Sequence, residues 1–423
     1  MKKKTIEIPI QSYRNSNIVL FFFWTIIVFQ LTVFKDTWNI AFASRIINVL
    51  LLLVTFFIAI KALTYGYSLS IWLFYLLPGL LLAFGVSINV IYNVLLNFSN
   101  FGFLALLPVW FVYLSIPFFQ NKKVINFESL WNFFFYFMVI SCLLSFIEYL
   151  LVFQFELVTL KVVKLQYGNF LLGFFTVFHS LGDDSPHFRF YGSFIEPGTL
   201  AMFLLPAIVF GFVHKKIFSL IILLIALIFS ESLGGYASFF LAIVLLFAST
   251  KIFNFKLKIF ATIIFFVMTL ITLFSVKDYF LEEYEKKDQS REVRENNITL
   301  FFEKFPDLVL SNPFGITLNS DTSINEKNSN YTGSNFTPGL QFQNGGILAF
   351  LGYLFILFST LIISIYKLII QDFTHNSKIV YISVIVLFPF IFQRGVVLDS
   401  AIYGFLFSPV FIKEFNRIKL ISK

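Results

Sequence analysis

Charge is what this sequence has least of. Only 13% of its 423 residues are charged while 58% are hydrophobic, and mean hydropathy is +0.85. A soluble globular domain carries about a quarter charged residues. Surface-to-volume scaling also leaves too much of any fold wet to hide this much apolar surface. The shortage of charge excludes an ordinary soluble protein and requires lipid as the surrounding phase. Cysteine is nearly absent: Cys142 stands alone inside an apolar run, so no intrachain disulfide forms and nothing follows about redox compartment. A cleavable leader is not expected either. Lys2, Lys3 and Lys4 make a basic start, but the apolar run after them is long and has no small-x-small exit, so it reads as a retained span. No internal repeat relates the two halves, which counts against the duplicated architecture of many transporters.

What is present is a series of long apolar stretches. Backbone groups in hydrocarbon must be satisfied internally, which leaves helices or a closed barrel. Runs such as 17–34 and 259–276 are continuous, whereas barrel strands alternate over about 10 residues. The expected fold class is therefore an all-α polytopic membrane protein, one transmembrane domain over 1–423 with about twelve transmembrane helices. The first six windows are 17–34, 45–60, 69–91, 101–119, 130–153 and 195–213. The second six are 217–233, 236–250, 259–276, 346–366, 378–392 and 396–412, with a tight turn expected at Gly234 and Gly235.

Orientation follows from the basic residues. With the N-terminus inside, the cytoplasmic segments hold eighteen of the 31 Lys and Arg, among them Lys2, Lys3, Lys4, Lys122, Lys123, Lys215 and Lys216. The short outside connections hold only Lys35, Arg45 and Arg394. That bias places both termini in the cytoplasm. The net charge of +8 then serves orientation rather than nucleic acid, which is not an expected partner. The 63 Phe residues read either as an aromatic surface for sugar or lipid, or as a codon bias shared with Ile, Lys and Asn.

Two outer-face connections are long, 154–194 and 277–345. Long loops in a compact membrane protein tend to be functional. The first includes an amphipathic stretch, 156–178, with Lys161 and Lys164, expected to lie along the interface. A thirteenth span there is the alternative, and it would invert everything downstream. The second is rich in Asn, Ser, Thr and Gly; its triplet Asn330-Tyr331-Thr332 is what an Asn-rich loop produces by chance.

Charges at span ends are costly, so each is a candidate site. Arg189 and Glu196 lie seven residues apart, with Pro197 suited to a first helical turn. A basic group and a carboxylate at one membrane boundary resemble a site; the plainer reading makes Glu196 a helix cap favoured by the dipole. Arg291 and Arg294 are three apart, so a helix puts both on one face, where guanidinium forks match phosphate oxygens two at a time. The plainer reading there is a solvated helix among Glu282, Glu283, Glu285, Lys286, Lys287, Glu292 and Glu295. Glu148, Glu231, Arg394 and Asp399, near outer span ends, form a second tier.

The motif Arg189-Phe-Tyr-Gly-Ser-Phe-Ile-Glu-Pro-Gly-Thr-Leu-Ala201 is followed by Gly234-Gly235, Ser290-Arg291, Asn312-Pro-Phe-Gly315 and Asn344-Gly-Gly-Ile347. This order resembles the bacterial O-antigen and capsule repeat-unit polymerases over about residues 185–365. The related O-antigen ligases would be expected to carry a histidine late in the large outer loop, and 277–345 contains none. The resemblance implies a membrane glycosyltransferase of lipopolysaccharide or capsule polysaccharide biosynthesis, in the bacterial cytoplasmic (inner) membrane. Its substrates would be oligosaccharides on polyprenyl (undecaprenyl) pyrophosphate and its protein partner a chain-length regulator. On this reading Arg189, Arg291 and Arg294 bind the pyrophosphate and Glu196 is the candidate base. No cofactor is needed, because the donor carries its own leaving group, and no metal is required. The alternatives are a transporter or flippase for lipid-linked glycans, and an O-antigen ligase.

Overall fold

The computed structural model describes residues 77–96, 127–155, 161–165, 168–180, 190–194, 196–249, 288–315, 336–371, 373 and 375–393. The expected spans 17–34, 45–60, 101–119, 259–276 and 396–412 lie outside the described residues. The described helices are α1 (Leu77–Leu96), α2 (Phe127–Phe155), α3 (Pro197–Val213), α4 (Ile217–Phe229), α5 (Leu233–Ala248), α6 (Asp288–Ser311), α7 (Thr337–Ile369) and α8 (His375–Gln393). Three strands, β1 (Lys161–Leu165), β2 (Gly168–Leu172) and β3 (Val177–Ser180), lie between α2 and α3. Among the described residues two helical stretches are long and apolar enough to cross a membrane, Trp131–Val152 and Thr337–Ile369; shorter apolar helices accompany them. The chain forms two compact units, one of residues 1–71, 108–232 and 400–423, the other of 72–107 and 233–399.

In the first unit α3 is the central element. Its sequence is apolar all round, and a helix of that kind is buried all round. Every residue of Pro197–Val213 except Phe212 is buried. Pro197 occupies the start, where its missing N–H costs nothing. Around α3 the neighbours turn one face in and one out. Helix α4 buries Leu220, Leu223, Ala226 and Leu227, and exposes Ile217, Phe218, Ile221, Ile225 and Ile228. Helix α2 buries Trp131, Phe135, Met138 and Cys142, while Tyr136, Ile140, Leu143, Ile147 and Leu150 face out at three- and four-residue spacing. Both faces are apolar, so the inward choice is made by packing; lipid is as apolar as Leu and cannot sort them. Trp131 stacks on Phe210 at 6.0 Å between ring centroids. Gly211 lets Phe135 and Leu220 close in, since a Cβ there would stand 3.1 and 3.2 Å from them.

The described part of the stretch 156–178 is strand and turn rather than helix, so the described fold is not purely helical. The stretch enters a three-stranded antiparallel meander in the order β1-β2-β3, pairing Leu165 with Gly168 and Leu172 with Val177. The physical cause lies in the residues between the two lysines. Val162 and Val163 are β-branched, and Gly168 and Gly173 bracket a short apolar run, which is hairpin chemistry rather than helix chemistry.

A second correction concerns Gly234 and Gly235. The turn lies earlier, at Ser230–Ser232, and both glycines sit in the first turn of α5. Glu231 takes the left-handed conformation, φ 47, that closes α4. Lys215 after α3 and Gln371 after α7 do the same, with φ 56 and 54. The three helices end on one type of cap, with polar residues where glycine is commoner.

In the second unit α1 and α7 are in backbone contact. Gly85, Gly345 and Gly352 remove the side chains that would hold them apart: a Cβ on Gly345 would stand 2.5 Å from Val86 N, and one on Gly352 2.5 Å from Pro78 O. Small residues allow this approach between membrane helices. Helix α7 is broken after its first two turns, with Gly345 at φ −155, ψ 19 and Gly346 at φ 65, ψ −156. Within the connection 277–345 the described residues form α6, the turn after it and the first two turns of α7. Beyond the break, Leu351, Phe355, Phe358, Ile362, Ile365 and Ile369 form an exposed apolar stripe along α7.

Candidate functional site

In the first unit the segment 190–194, which precedes Glu196, is held from three directions. Its Phe190 N–H bonds to Phe229 O at 2.9 Å, joining it to the end of α4, two residues before Glu231. The Val177 N–H bonds to Gly192 O at 2.9 Å, joining it to the sheet. The Ser193 and Ser141 hydroxyls meet at 2.7 Å, joining it to α2. Aromatic faces complete the seat: Phe146 stacks on Phe190 at 4.3 Å and Tyr149 on Phe178 at 6.0 Å. Glu196 then occupies the N-cap position of α3, with φ −128, ψ 136. Its backbone carbonyl accepts the Leu200 N–H at 3.0 Å, while its exposed side chain makes no capping hydrogen bond. Glu196 therefore caps through its backbone, and its carboxylate projects at the surface of the unit.

Glu148 and Glu231 have structural settings. The Glu148 carboxylate accepts the N–H groups of Phe174 and Phe175, the second at 2.7 Å, inside the four-residue connection from β2 to β3. Ser145 Oγ donates to Phe175 O at 2.7 Å and Thr176 Oγ1 to Ser145 O at 3.0 Å. Glu148 is the anchor of that turn. Gly173 is required beside it, because a Cβ would stand 2.5 Å from the carboxylate. Glu231 is half-buried in the cap after α4; its backbone conformation matches the other two caps and marks no special role by itself. The structure brings Glu231 to the end of α4 where residue 190 docks. Arg189, Arg394 and Asp399 lie outside the described residues.

In the second unit Arg291 and Arg294 both belong to the helix α6. Three apart, they share one face. The same face continues through Ile298, Phe301, Phe305 and Leu308, at alternating three- and four-residue steps. Those apolar residues pack with Phe336, Phe342 and Phe350 of the α7 region. Phe301 lies 5.3 Å from Phe336 and 5.7 Å from Phe350, and Phe305 5.0 Å from Phe350. The arginine pair thus occupies the N-terminal continuation of a face fixed by aromatic packing, with Arg294 roughly 10 Å along the axis from Phe301. Here phenylalanine is core material rather than an open ligand surface.

Asn89 was missed by reasoning restricted to charges. It lies in a largely apolar helix, 1% exposed, and its Nδ2 donates to Gln343 O and Asn344 O, both at 3.0 Å. The signal was available, since an uncharged polar group in a span also needs a partner. Among the described residues no three His, Cys, Asp or Glu side chains converge as a metal site would require. No family model, curated protein or solved structure matched the chain.

Proposed function

We propose that this chain is a polysaccharide polymerase. It passes a glycan from polyprenyl pyrophosphate to a sugar hydroxyl of another lipid-linked repeat, at the outer face of a bacterial cytoplasmic membrane. The carrying observation is the Arg291–Arg294 pair on one face of a helix that is fixed by aromatic packing. Two arginines at neighbouring positions of one helical face suit a pyrophosphate, whose oxygens guanidinium forks can grip pairwise. Support also comes from the motif order, and from the apolar stripes on α2, α4 and α7, which lipid would cover. The reading retains twelve spans with both termini inside, which puts 154–194 and 277–345 outside.

In the reaction the acceptor hydroxyl oxygen bonds to the donor's anomeric carbon. The bond from that carbon to the pyrophosphate oxygen breaks, and the electron pair leaves with the pyrophosphate. Arg291 and Arg294 stabilise the negative charge gathering there, with Arg189 in the same role. Glu196 takes the hydroxyl proton, as a carboxylate does in glycoside chemistry. Support for this role is the exposed Glu196 side chain at a helix start, where it makes no capping hydrogen bond.

The test is polymerisation of a purified lipid-linked repeat by the full chain in vesicles. Lengthened glycan on the same lipid supports the polymerase, transfer to a different acceptor supports a ligase, and transport without a covalent product supports a flippase. Arg291→Ala and Arg294→Ala are each expected to slow chain growth about a hundredfold, and Glu196→Gln to slow it comparably, with membrane levels unchanged. Normal glycan ladders from both arginine variants would remove the pyrophosphate role.

A further inference from the structure

We infer that Asn89 is a positioning residue: it holds the break in α7 open and so fixes the end of the arginine-bearing helix. In an unbroken helix Gln343 O would accept the Ile347 N–H. Here that N–H instead donates to Pro313 O at 3.0 Å. Pro313 belongs to the turn Asn312–Gly315 that follows α6 directly, closed by Gly315 N–H on Asn312 O at 3.0 Å. The exchange leaves the Gln343 carbonyl without its helical donor, and it and the neighbouring Asn344 carbonyl lie in a partly buried place. The two N–H groups of one primary amide suit two such carbonyls, and Asn89 Nδ2 reaches both. Asn89 and the Pro313 carbonyl are therefore two halves of one exchange.

Glycines make the fit sterically possible. A Cβ on Gly315, whose φ is +102, would stand 2.5 Å from Asn89 Nδ2 and 2.7 Å from Gln343 O. One on Gly346 would overlap the Pro313 carbonyl. The weak-looking elements Asn312-Pro-Phe-Gly315 and Asn344-Gly-Gly-Ile347 are thus the two faces of one joint. When the amide is removed, closing the helix recovers the Ile347-to-Gln343 bond and releases Pro313. The C-terminal anchor of α6 then goes, and the face carrying Arg291 and Arg294 loses its fixed position.

The catalytic part of this inference rests on the polymerase reading; the joint itself does not. The experiment separates them by measuring distance without substrate. Spin labels are placed at Thr299 on α6 and Leu351 on α7, both exposed, in full-length chain in lipid nanodiscs with the sole cysteine changed, Cys142→Ser. The parent should give one narrow distance distribution. Asn89→Leu, of similar size but without donors, should broaden or shift it by roughly one helical turn, about 5 Å, and cut glycan extension about a hundredfold. Asn89→Asp, nearly isosteric, serves if Leu prevents insertion, with the same expectation. An unchanged distribution in the variant that inserts overturns the joint, whatever the activity. A broadened distribution with wild-type extension overturns the positioning role. If Arg291→Ala extends glycan normally, the polymerase reading of the arginines falls, and the distance result still judges the joint.

Discussion

The chain contains two Gly-Gly pairs in its second unit, and they do opposite things. Gly234 and Gly235 lie inside regular helix, in the first turn of α5. Gly345 and Gly346 break α7, with Gly346 at φ 65, ψ −156, a region essentially closed to other residues. The dipeptide is the same, so glycine alone does not decide where a helix breaks. What differs is the supply of hydrogen-bond partners. At the second pair Asn89 donates to the Gln343 and Asn344 carbonyls, and Pro313 O takes up the Ile347 N–H. At the first pair no such exchange is needed, and the helix continues. In an apolar surrounding, an unpaired backbone group costs several kcal/mol, so a break persists only where side chains or neighbouring backbone replace the helix's own bonds.

The comparison is broken most severely by Gly346→Ala. The methyl group would be forced into a conformation L-residues avoid, and into the Pro313 carbonyl. The expected cost is about 3–5 kcal/mol, read as loss of folded protein in thermal unfolding in detergent. A variant as stable as the parent would mean that α7 is not held open at this point.

The first unit offers the mirror-image case, and the next largest effect. There a carboxylate supplies acceptors to amides, where Asn89 supplies donors to carbonyls. Glu148 satisfies the N–H groups of Phe174 and Phe175, and Gly173 is again the residue that permits the approach. Glu148→Leu is expected to cost about 2–3 kcal/mol, with part recovered because water reaches the exposed Phe174. Glu148→Gln, which keeps one acceptor oxygen, should lose less. Thermal unfolding with limited proteolysis of 173–176 checks both; a fall in glycan extension without loss of stability would instead restore Glu148 as a candidate for the chemistry.

These cases show how much was legible beforehand. Apolar runs and basic loops point to helices, and 130–153, 195–213 and 378–392 correspond to α2, α3 and α8 within a few residues. The arginine pair lies in a helix, the condition under which its spacing puts both on one face. What was not legible is long-range. The partner of Asn89 is more than 250 positions away, and no local pattern connects them. The meander at 161–180 is hard to see in the sequence because Lys161 and Lys164, three apart, imitate a helical face and mask the β-branched pair between them. The turn was misplaced for a related reason. Glycine is the usual left-handed residue after a helix, so Gly234-Gly235 drew the boundary, although Glu231 performs that function.

Gly234→Ala is the smallest and most discriminating change. Inside a helix, alanine gains up to about 1 kcal/mol over glycine. Against this, the new Cβ would stand 3.3 Å from the Phe390 ring, which must shift by a few tenths of an ångström. The two effects nearly cancel, so the expected change is within about 1 kcal/mol of zero. Were Gly234 a left-handed turn residue, alanine would cost about 1–2 kcal/mol through the backbone alone, before any contact with Phe390. Adding Phe390→Leu separates the terms: with the ring gone, Gly234→Ala should become stabilising in a helix and remain destabilising in a turn. A melting temperature that rises for Gly234→Ala in the Phe390→Leu background would place the glycine in the helix. It would also leave the division of labour between the two pairs resting on the partners around them.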